Sequence, residues 1–242
     1  LHSVGNSSKG LDGWQTFQKR YIDNGMIDFV QEERRAGRIR NLGFSFHGDP
    51  RTIEWLLDNH DKYHWDFVQI EMNYIDWEHA HDVDEDNVNA DYLYKRLTDL
   101  NIPAVIMEPL LGGRLSNLPD VLATTLKQRA PQNSVASWAF RFVGTYPNVL
   151  TVLSGMTFME HLQDNLRTYS PLQPCTPEEI QLLMQVADMY LKYPIIPCTT
   201  CQYCMPCPYG IDIPTNFSFY NKCVNEGSIV EDTQSKDYRK AR

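Results

Sequence analysis

Between residues 11 and 170 the apolar positions switch repeatedly between a helical period and short strand-like runs. Trp14, Phe17, Tyr21 and Ile22 predict a helix over residues 11–24, broken by Gly25. A second helix is predicted over 26–36, charged at Glu32, Glu33, Arg34 and Arg35, with Gly37 suited to its C′ position. Residues 39–46 read as a strand. Asp49-Pro50 opens a helix through residue 59, proline fitting the first turn. A strand over 67–74 follows, then an acidic, loop-like stretch over 76–91, a helix over 90–100 and a strand over 103–107. Helices over 119–129 and from the cap Ser134 to 143, a strand over 149–153 and a helix over 159–169 complete the pattern.

Strands alternating with helices predict an α/β fold with parallel pairing and right-handed crossovers. The mostly apolar strands read as buried on both faces. Pro174 and Pro177 mark a boundary. Thr176 is placed to cap a helix over 176–192, and Glu178 and Glu179 complement its positive end. Pro194 and Pro197 stop it. Three regions are therefore expected: 1–172, 173–230 and a polar, frayed tail over 231–242.

Charge and composition narrow the setting. With 22 Lys and Arg against 31 Asp and Glu, the net charge of −9 argues against non-specific nucleic-acid or anionic-membrane binding. No apolar run approaches the ~20 residues of a membrane span, and no secretory leader is visible. Asp82, Asp84 and Asp86 alternate as in a calcium loop, but Asn87 stands where that loop needs glycine and Leu93 where it needs glutamate. A solvated acidic loop is the better reading. The chain opens on Leu1-His2-Ser3, which reads like the end of a strand and suggests that an N-terminal part is missing.

The densest chemistry is Cys198-Thr199-Thr200-Cys201-Gln202-Tyr203-Cys204-Met205-Pro206-Cys207-Pro208, which holds four of the six cysteines. Each Cys-x-x-Cys turn brings two sulfurs toward one metal or cluster. The run resembles the bacterial ferredoxin pattern, including the Cys-Pro at its end, but its last gap is two residues instead of three. Cys198, Cys201, Cys204 and Cys207 are thus candidate ligands of a [4Fe–4S] cluster, with Cys223 or Cys175 as substitutes for Cys207. A zinc site and free or disulfide-linked cysteines are the alternatives. The apolar residues of 208–214 are placed to cover a cluster from water. Cysteines clustered for metal suit a reducing cytoplasm.

Four segments, taken in order, resemble the aldo/keto reductase family. Ile39-Arg40-Asn41-Leu42-Gly43-Phe44-Ser45 is similar to its I-R-x-x-G-x-S strand, and Gln69-Ile70-Glu71-Met72-Asn73 to its Q-x-E-x-N strand. Met107-Glu108-Pro109-Leu110-Leu111-Gly112-Gly113 resembles its P-L-x-G-G loop. Leu153-Ser154-Gly155-Met156 through Glu160-His161-Leu162-Gln163-Asp164-Asn165 resembles its last cofactor loop and helix. The terminal cysteines look like those of an iron–sulfur subgroup.

The resemblance implies a TIM barrel, with sites at the C-terminal strand ends. This chain would supply strands five to eight, with Leu1-His2 as the end of strand four. It implies NADP or NAD as cofactor: Ser45 and Gln69 at the nicotinamide amide, Met107 against the ring, and Pro109, Leu110, Gly112 and Gly113 over the pyrophosphate. Gly155, His161, Asp164 and Asn165 fall at the adenosine end. Gly155 and His161 replace the basic residues common there, which weakens the case for NADP over NAD. His2 matches a histidine that hydrogen-bonds the substrate carbonyl. The family's catalytic Asp, Tyr and Lys precede strand four and have no counterpart in this chain.

The resulting expectation is hydride exchange with a small carbonyl or alcohol. An electron-transfer partner for the cluster, and self-association or a bound N-terminal fragment, follow as expected partners. The alternative is a non-enzymatic electron-transfer or redox-sensing module on a half-barrel scaffold.

Overall fold

The computed structural model describes residues 1–225 except 84, 197, 199 and 201. Four strands, β1 (Gly43–Ser45), β2 (Phe67–Glu71), β3 (Ala104–Met107) and β4 (Val149–Val152), form a parallel sheet in the order β1-β2-β3-β4. Sequential order is that of a singly wound α/β sheet, whereas a doubly wound sheet reverses direction at a switch point. The predicted parallel α/β class is therefore observed. Residues 1–4 run beside β1 as well: Leu1 O accepts from Ser45 N, Val4 N donates to Ser45 O, and Val4 bridges Phe46 in parallel.

The helices among the described residues are α1 (Gly13–Phe17), α2 (Met26–Arg35), α3 (Pro50–Asp58), α4 (His60–Tyr63), α5 (Asp76–Val83), α6 (Ala90–Asp99), α7 (Asp120–Arg129), α8 (Val135–Gly144), α9 (Met159–Tyr169), α10 (Pro177–Leu191) and α11 (Ile213–Asn225). A π-helical turn, Gln18–Ile22, continues α1, and a 3-10 turn, Arg114–Ser116, follows β3. Local chemistry explains the boundaries. Asp12 and Gln15 form a capping box before α1, and Thr176 and Glu179 another before α10. Asp49 caps α3 and Ser134 caps α8. None of these helices is long and apolar enough to cross a membrane.

Three expectations change. The strand over 39–46 shrinks to β1 because the Leu42 N–H goes to the Asp66 carboxylate at 2.7 Å and not to a ladder. The first half of the acidic stretch after β2, Asp76–Val83, is helical and not a loop, whereas 85–89 are turn and irregular chain as expected. The Asn73 side-chain oxygen accepts from the N–H groups of Ile75 and Asp76, both at 2.9 Å, which ends β2 and starts α5. Finally, the sheet is not buried on both faces. Val68, Ile70, Ala104 and Ile106 are wholly buried, and Phe44 stacks edge-on against Trp65. Along β2 these buried positions alternate with half-buried Phe67, Gln69 and Glu71, so the other face remains open. A single cluster of buried side chains joins the sheet to α3, α6, α8 and α10, the last through Leu183, Val186, Ala187 and Tyr190.

Candidate active site

The less covered face carries the polar strand ends, with Ser45 and Met107 buried on it and Gln69 and Glu71 half-buried. In register, Ser45 lies opposite Gln69, and Glu71 opposite Met107. Strand alternation therefore points Ser45, Gln69, Glu71 and Met107 to one side. Gln69 Nε2 donates to Met107 Sδ at 3.1 Å, so the amide and thioether already touch. Ser45 Oγ accepts from Ser3 N at 2.7 Å, which ties the N-terminal segment to the strand end. His2 is exposed, and its carbonyl accepts from the Tyr21 hydroxyl at 2.6 Å.

Just beyond these residues lies a group whose roles the sequence left unassigned. His47 Nδ1 is 3.1 Å from Glu71 Oε1, and Asn87 Nδ2 donates to Glu71 Oε2 at 3.4 Å. Asp76 sits beneath, 1% exposed. Its Oδ2 accepts from Asn73 Nδ2 at 2.6 Å, while its Oδ1 has no hydrogen-bond partner among the described residues. Burial first, and the charge of Glu71 second, push the Asp76 carboxyl up to about 7. Strand alternation from Ser45 would have found His47; nothing local announces Asp76.

The turn after β3 is conformationally demanding. Glu108, Leu111, Gly112 and Gly113 all have positive φ, at 52°, 51°, 65° and 96°. Its amides bond within the turn: Leu111 N to Glu108 O, Gly113 N to Leu110 O and Leu115 N to Leu110 O. Gly112 N donates to the Glu108 carboxylate. Asn73 Nδ2 braces the same residue by donating to Glu108 O at 3.0 Å. Pro109 is buried, and Leu110 packs on the core. A Cβ added at Gly113 would meet nothing within 4 Å, so the loop faces open space there.

That space is a cavity of about 840 Å³, lined by Gly112, Gly113, Arg114, His161, Cys198 and Lys222 among others. The volume falls in the range of roughly 300–1,000 Å³ typical of small-molecule sites. The size, the empty side of Gly113 and the cationic lining suit a phosphate-bearing dinucleotide. The cavity thus gathers Gly112, Gly113 and His161. His161 Nδ1 accepts from Thr157 N at 3.3 Å. Asn165 Nδ2 donates to Ser154 Oγ at 2.9 Å and shapes the preceding loop. Asp164 is drawn elsewhere: its carboxylate accepts from Ser134 Oγ and from Arg167 Nη2, joining α9 to the cap of α8. Gly155 is exposed, with open space around it.

In the cysteine run, Cys198 and Cys207 are half-buried and Cys204 is exposed; Cys201 lies outside the described residues. Cys198 Sγ accepts from Thr200 N at 3.4 Å. Among the described residues no three His, Cys, Asp or Glu side chains converge as a metal site. Tyr209 and Ile211, expected to shield a cluster, are 88% and 50% exposed. Cys175 is buried beneath the start of α10, and burial pushes its thiol up to about 11. The polar tail, expected to be frayed, lies outside the described residues.

Solved structures share the fold. The holo form of aldo-keto reductase AKR11C1 from Bacillus halodurans superposes with a TM-score of 0.53 at 18% identity, covering 68% of this chain and 56% of that one. The thermostable aldo-keto reductase Tm1743, in complex with the inhibitor epalrestat, gives 0.51 at 20% identity, covering 66% and 53%. An aldo-keto reductase from Klebsiella pneumoniae in complex with NADPH gives 0.50 at 19% identity, covering 69% and 53%. The chain thus spans about half the length of these solved structures. No curated protein matches it. Residues 14–188 match the model of the aldo/keto reductase family, and the chain belongs to that family.

Proposed function

We propose that this chain is the cofactor-binding part of a nicotinamide-dependent oxidoreductase, exchanging hydride with a small carbonyl or alcohol. The observation that carries the reading is the common sheet face of Ser45, Gln69 and Met107, followed in the chain by the Glu108 turn whose Gly112 and Gly113 line the cavity. The cofactor supplies the hydride. The protein's part is to orient and shield it. Gln69 offers an amide to the nicotinamide carboxamide, and Met107 a polarisable surface to its ring. Gly112 and Gly113 let the backbone approach the phosphates. His2, at the edge of the same sheet, is assigned to the substrate oxygen.

We further assign the four strands to positions five to eight of a barrel, with residues 1–4 beside β1 closing strand four. A barrel's inner face is lined by side chains from all strands, and one face of this sheet carries Ser45, Gln69, Glu71 and Thr151. The family's Asp, Tyr and Lys have no counterpart in this sequence, so turnover needs groups from outside the chain. The cysteine run is assigned a [4Fe–4S] cluster on its spacing and on the Thr200 N–H, which donates to Cys198 Sγ. The cluster either passes single electrons to a partner or braces the segment.

Titration of the 242-residue chain with NADPH and NADH, followed by nicotinamide fluorescence, tests the cofactor assignment. Saturable binding weakened by Gln69→Ala is expected; no binding of either nucleotide overturns it. Iron and acid-labile sulfide content after anaerobic preparation tests the cluster. One equivalent of zinc without sulfide overturns it in favour of a zinc site.

A further inference from the structure

Asn73 ties the turn after β3 to the end of β2 and to α5. It is wholly buried, two residues beyond β2. Its Oδ1 accepts from the N–H groups of Ile75 and Asp76, both at 2.9 Å. Its Nδ2 donates to Asp76 Oδ2 at 2.6 Å and to Glu108 O at 3.0 Å. Both amide protons and both acceptor positions are thereby spent. Glu108 has a φ of 52°, a left-handed backbone that a residue with a Cβ keeps only where its surroundings impose it. It opens the turn whose Gly112 and Gly113 line the cavity. The Asn73 amide holds the Glu108 carbonyl, and the Gly112 N–H holds its carboxylate.

Asp76, the partner of Asn73, lies among other charges. It is buried, and its Oδ1 has no hydrogen-bond partner among the described residues. Burial and the charges of Glu71 and Glu108 oppose its ionisation, whereas Asn73 and Arg114 favour it. Glu71 in turn meets His47 from beyond β1 and Asn87 from the chain before α6. Arg114 also bonds the Tyr190 hydroxyl of α10, and it lines the cavity. Ionisation of Asp76 therefore adds a buried negative charge beside two carboxylates and draws on an arginine of the cavity wall. A bound pyrophosphate is anionic too, and buried charges act on one another with little screening. Ligand and ionised Asp76 oppose each other.

We propose that Asn73 is a positioning residue of the dinucleotide site, holding Glu108 in the shape the pyrophosphate meets, and that Asp76 beside it links nucleotide binding to the uptake of a proton. The inference rests on the cofactor reading above. The proton comes from solvent and goes to Oδ1, so that Oδ2 keeps accepting from Asn73. In the free chain the Asp76 carboxyl stands at about 7, and a bound anion raises it further. Affinity is then full below the free value and declines as pH rises from the free value to the bound one.

The test is a calorimetric titration of NADH into the full chain from about pH 6 to pH 9, in two buffers of different ionisation enthalpy, for the parent, Asp76→Asn and Asn73→Ser. The pyrophosphate of NADH stays ionised throughout, so proton uptake reports the protein. NADPH is titrated in parallel, its 2′-phosphate contributing alike to parent and variants. Histidines such as His47 and His161 also contribute to both, and the difference between parent and Asp76→Asn isolates Asp76. The parent is expected to take up protons on binding and to lose about fivefold or more in affinity across the range. Asp76→Asn, which keeps the acceptor for Asn73, should hold the parent's low-pH affinity throughout and lack that uptake. Asn73→Ser keeps a hydroxyl to start α5 but is too short to reach Glu108 O. Measured below its own thermal midpoint, it should bind about fivefold to tenfold more weakly at every pH, the loss of one hydrogen bond. The same pH profile in parent and Asp76→Asn overturns the link to Asp76, and parent affinity in Asn73→Ser overturns the positioning role; either leaves the cofactor reading standing. No binding of either nucleotide by the parent overturns the cofactor reading and the inference with it.

Discussion

Arg141 on α8 and Glu179 in the first turn of α10 form an ion pair with side chains only 11% and 10% exposed. Arg141 spends its remaining donors on the carbonyls of Gln173 and Pro174, at 2.9 and 3.4 Å. The pair therefore fixes the chain's turn into α10, and through α10 the approach to the cysteine segment. Burial alone would push the Glu179 carboxyl up, but the hydrogen bonds from Arg141 and from the Thr176 N–H outweigh it and hold it below its ordinary value.

Removing one partner leaves the other charge buried and unpaired. Glu179→Ala should destabilise the protein by about 3–5 kcal/mol, read as a shift of the urea midpoint without change in slope. The lowered carboxyl gives the sign of the pH effect: the stabilisation is present above the unfolded pKa and is lost as pH falls through the folded one. A loss below 1 kcal/mol would show that the pair contributes orientation and not stability.

Asp76 behaves in the opposite sense. Its folded pKa of about 7 lies above the ordinary 3.8. Stability is then full below pH ~4 and declines as pH rises toward 7, because the unfolded chain releases a proton the folded one holds. Asp76→Asn keeps the acceptor for Asn73 and removes the ionisation. The variant should lack this decline and exceed the parent at pH 8 by roughly 1–3 kcal/mol. Parallel stability profiles from pH 5 to 8 would show that Asp76 stays ionised in the fold.

At the loop, the Glu108 carboxylate occupies the Gly112 N–H, placing a negative charge beside the assigned phosphate seat. Glu108→Gln preserves an acceptor and removes the charge. Dinucleotide affinity should rise several-fold, on the order of 1 kcal/mol. Weaker binding would mean that the carboxylate braces the loop in its binding shape.

Much of this architecture was legible in the sequence, for local reasons. Helix α9 was read to the residue, and α10 because Thr176, Pro177 and Glu179 announce its start. Helix α5 was missed because its initiation depends on Asn73, on the preceding strand, and on Asn89, whose Oδ1 accepts from Ala80 N. The alternation of Gln69 and Glu71 with Val68 and Ile70 did encode the open face. The uniformly apolar β3 concealed it. Helix α11 was missed, although Asp212 Oδ1 accepts from Thr215 N at its start. Lys222 therefore had no element to place it, and its position across from Gly113 depends on docking that no local pattern carries.

Spacing and burial together separate the cysteines. Cys201→Ser should abolish the iron and sulfide content of anaerobically prepared protein, since Cys201 is central in the run. Cys175→Ser should leave it intact, because that thiol is buried and pushed up to about 11, away from the thiolate a metal needs. Equal iron in Cys201→Ser and parent would exclude the run as the ligand set.

The far edge of the sheet yields the last expectation. Among the described residues β4 pairs only with β3, and α9 has no buried residue. Leu150, Phe158, Met159 and Leu166 are 64%, 64%, 62% and 55% exposed along this side. An unpaired strand edge, and large apolar side chains left exposed in the chain that follows it, invite pairing with another chain. The central strands do not drive this, since Phe44, Ile70 and Ile106 are buried in the core cluster shared with the helices. Covering each large side chain on the β4–α9 face is worth roughly 1.5–3 kcal/mol, so a few of them outweigh the cost of weak association. The 242-residue chain alone should self-associate, with a scattering mass above 28.1 kDa that rises with concentration. Leu150→Lys combined with Leu166→Glu should return it to the monomer mass, because both place charge on the contact without touching the core. A parent chain that stays at the monomer mass at every concentration would show that this face tolerates water as it stands.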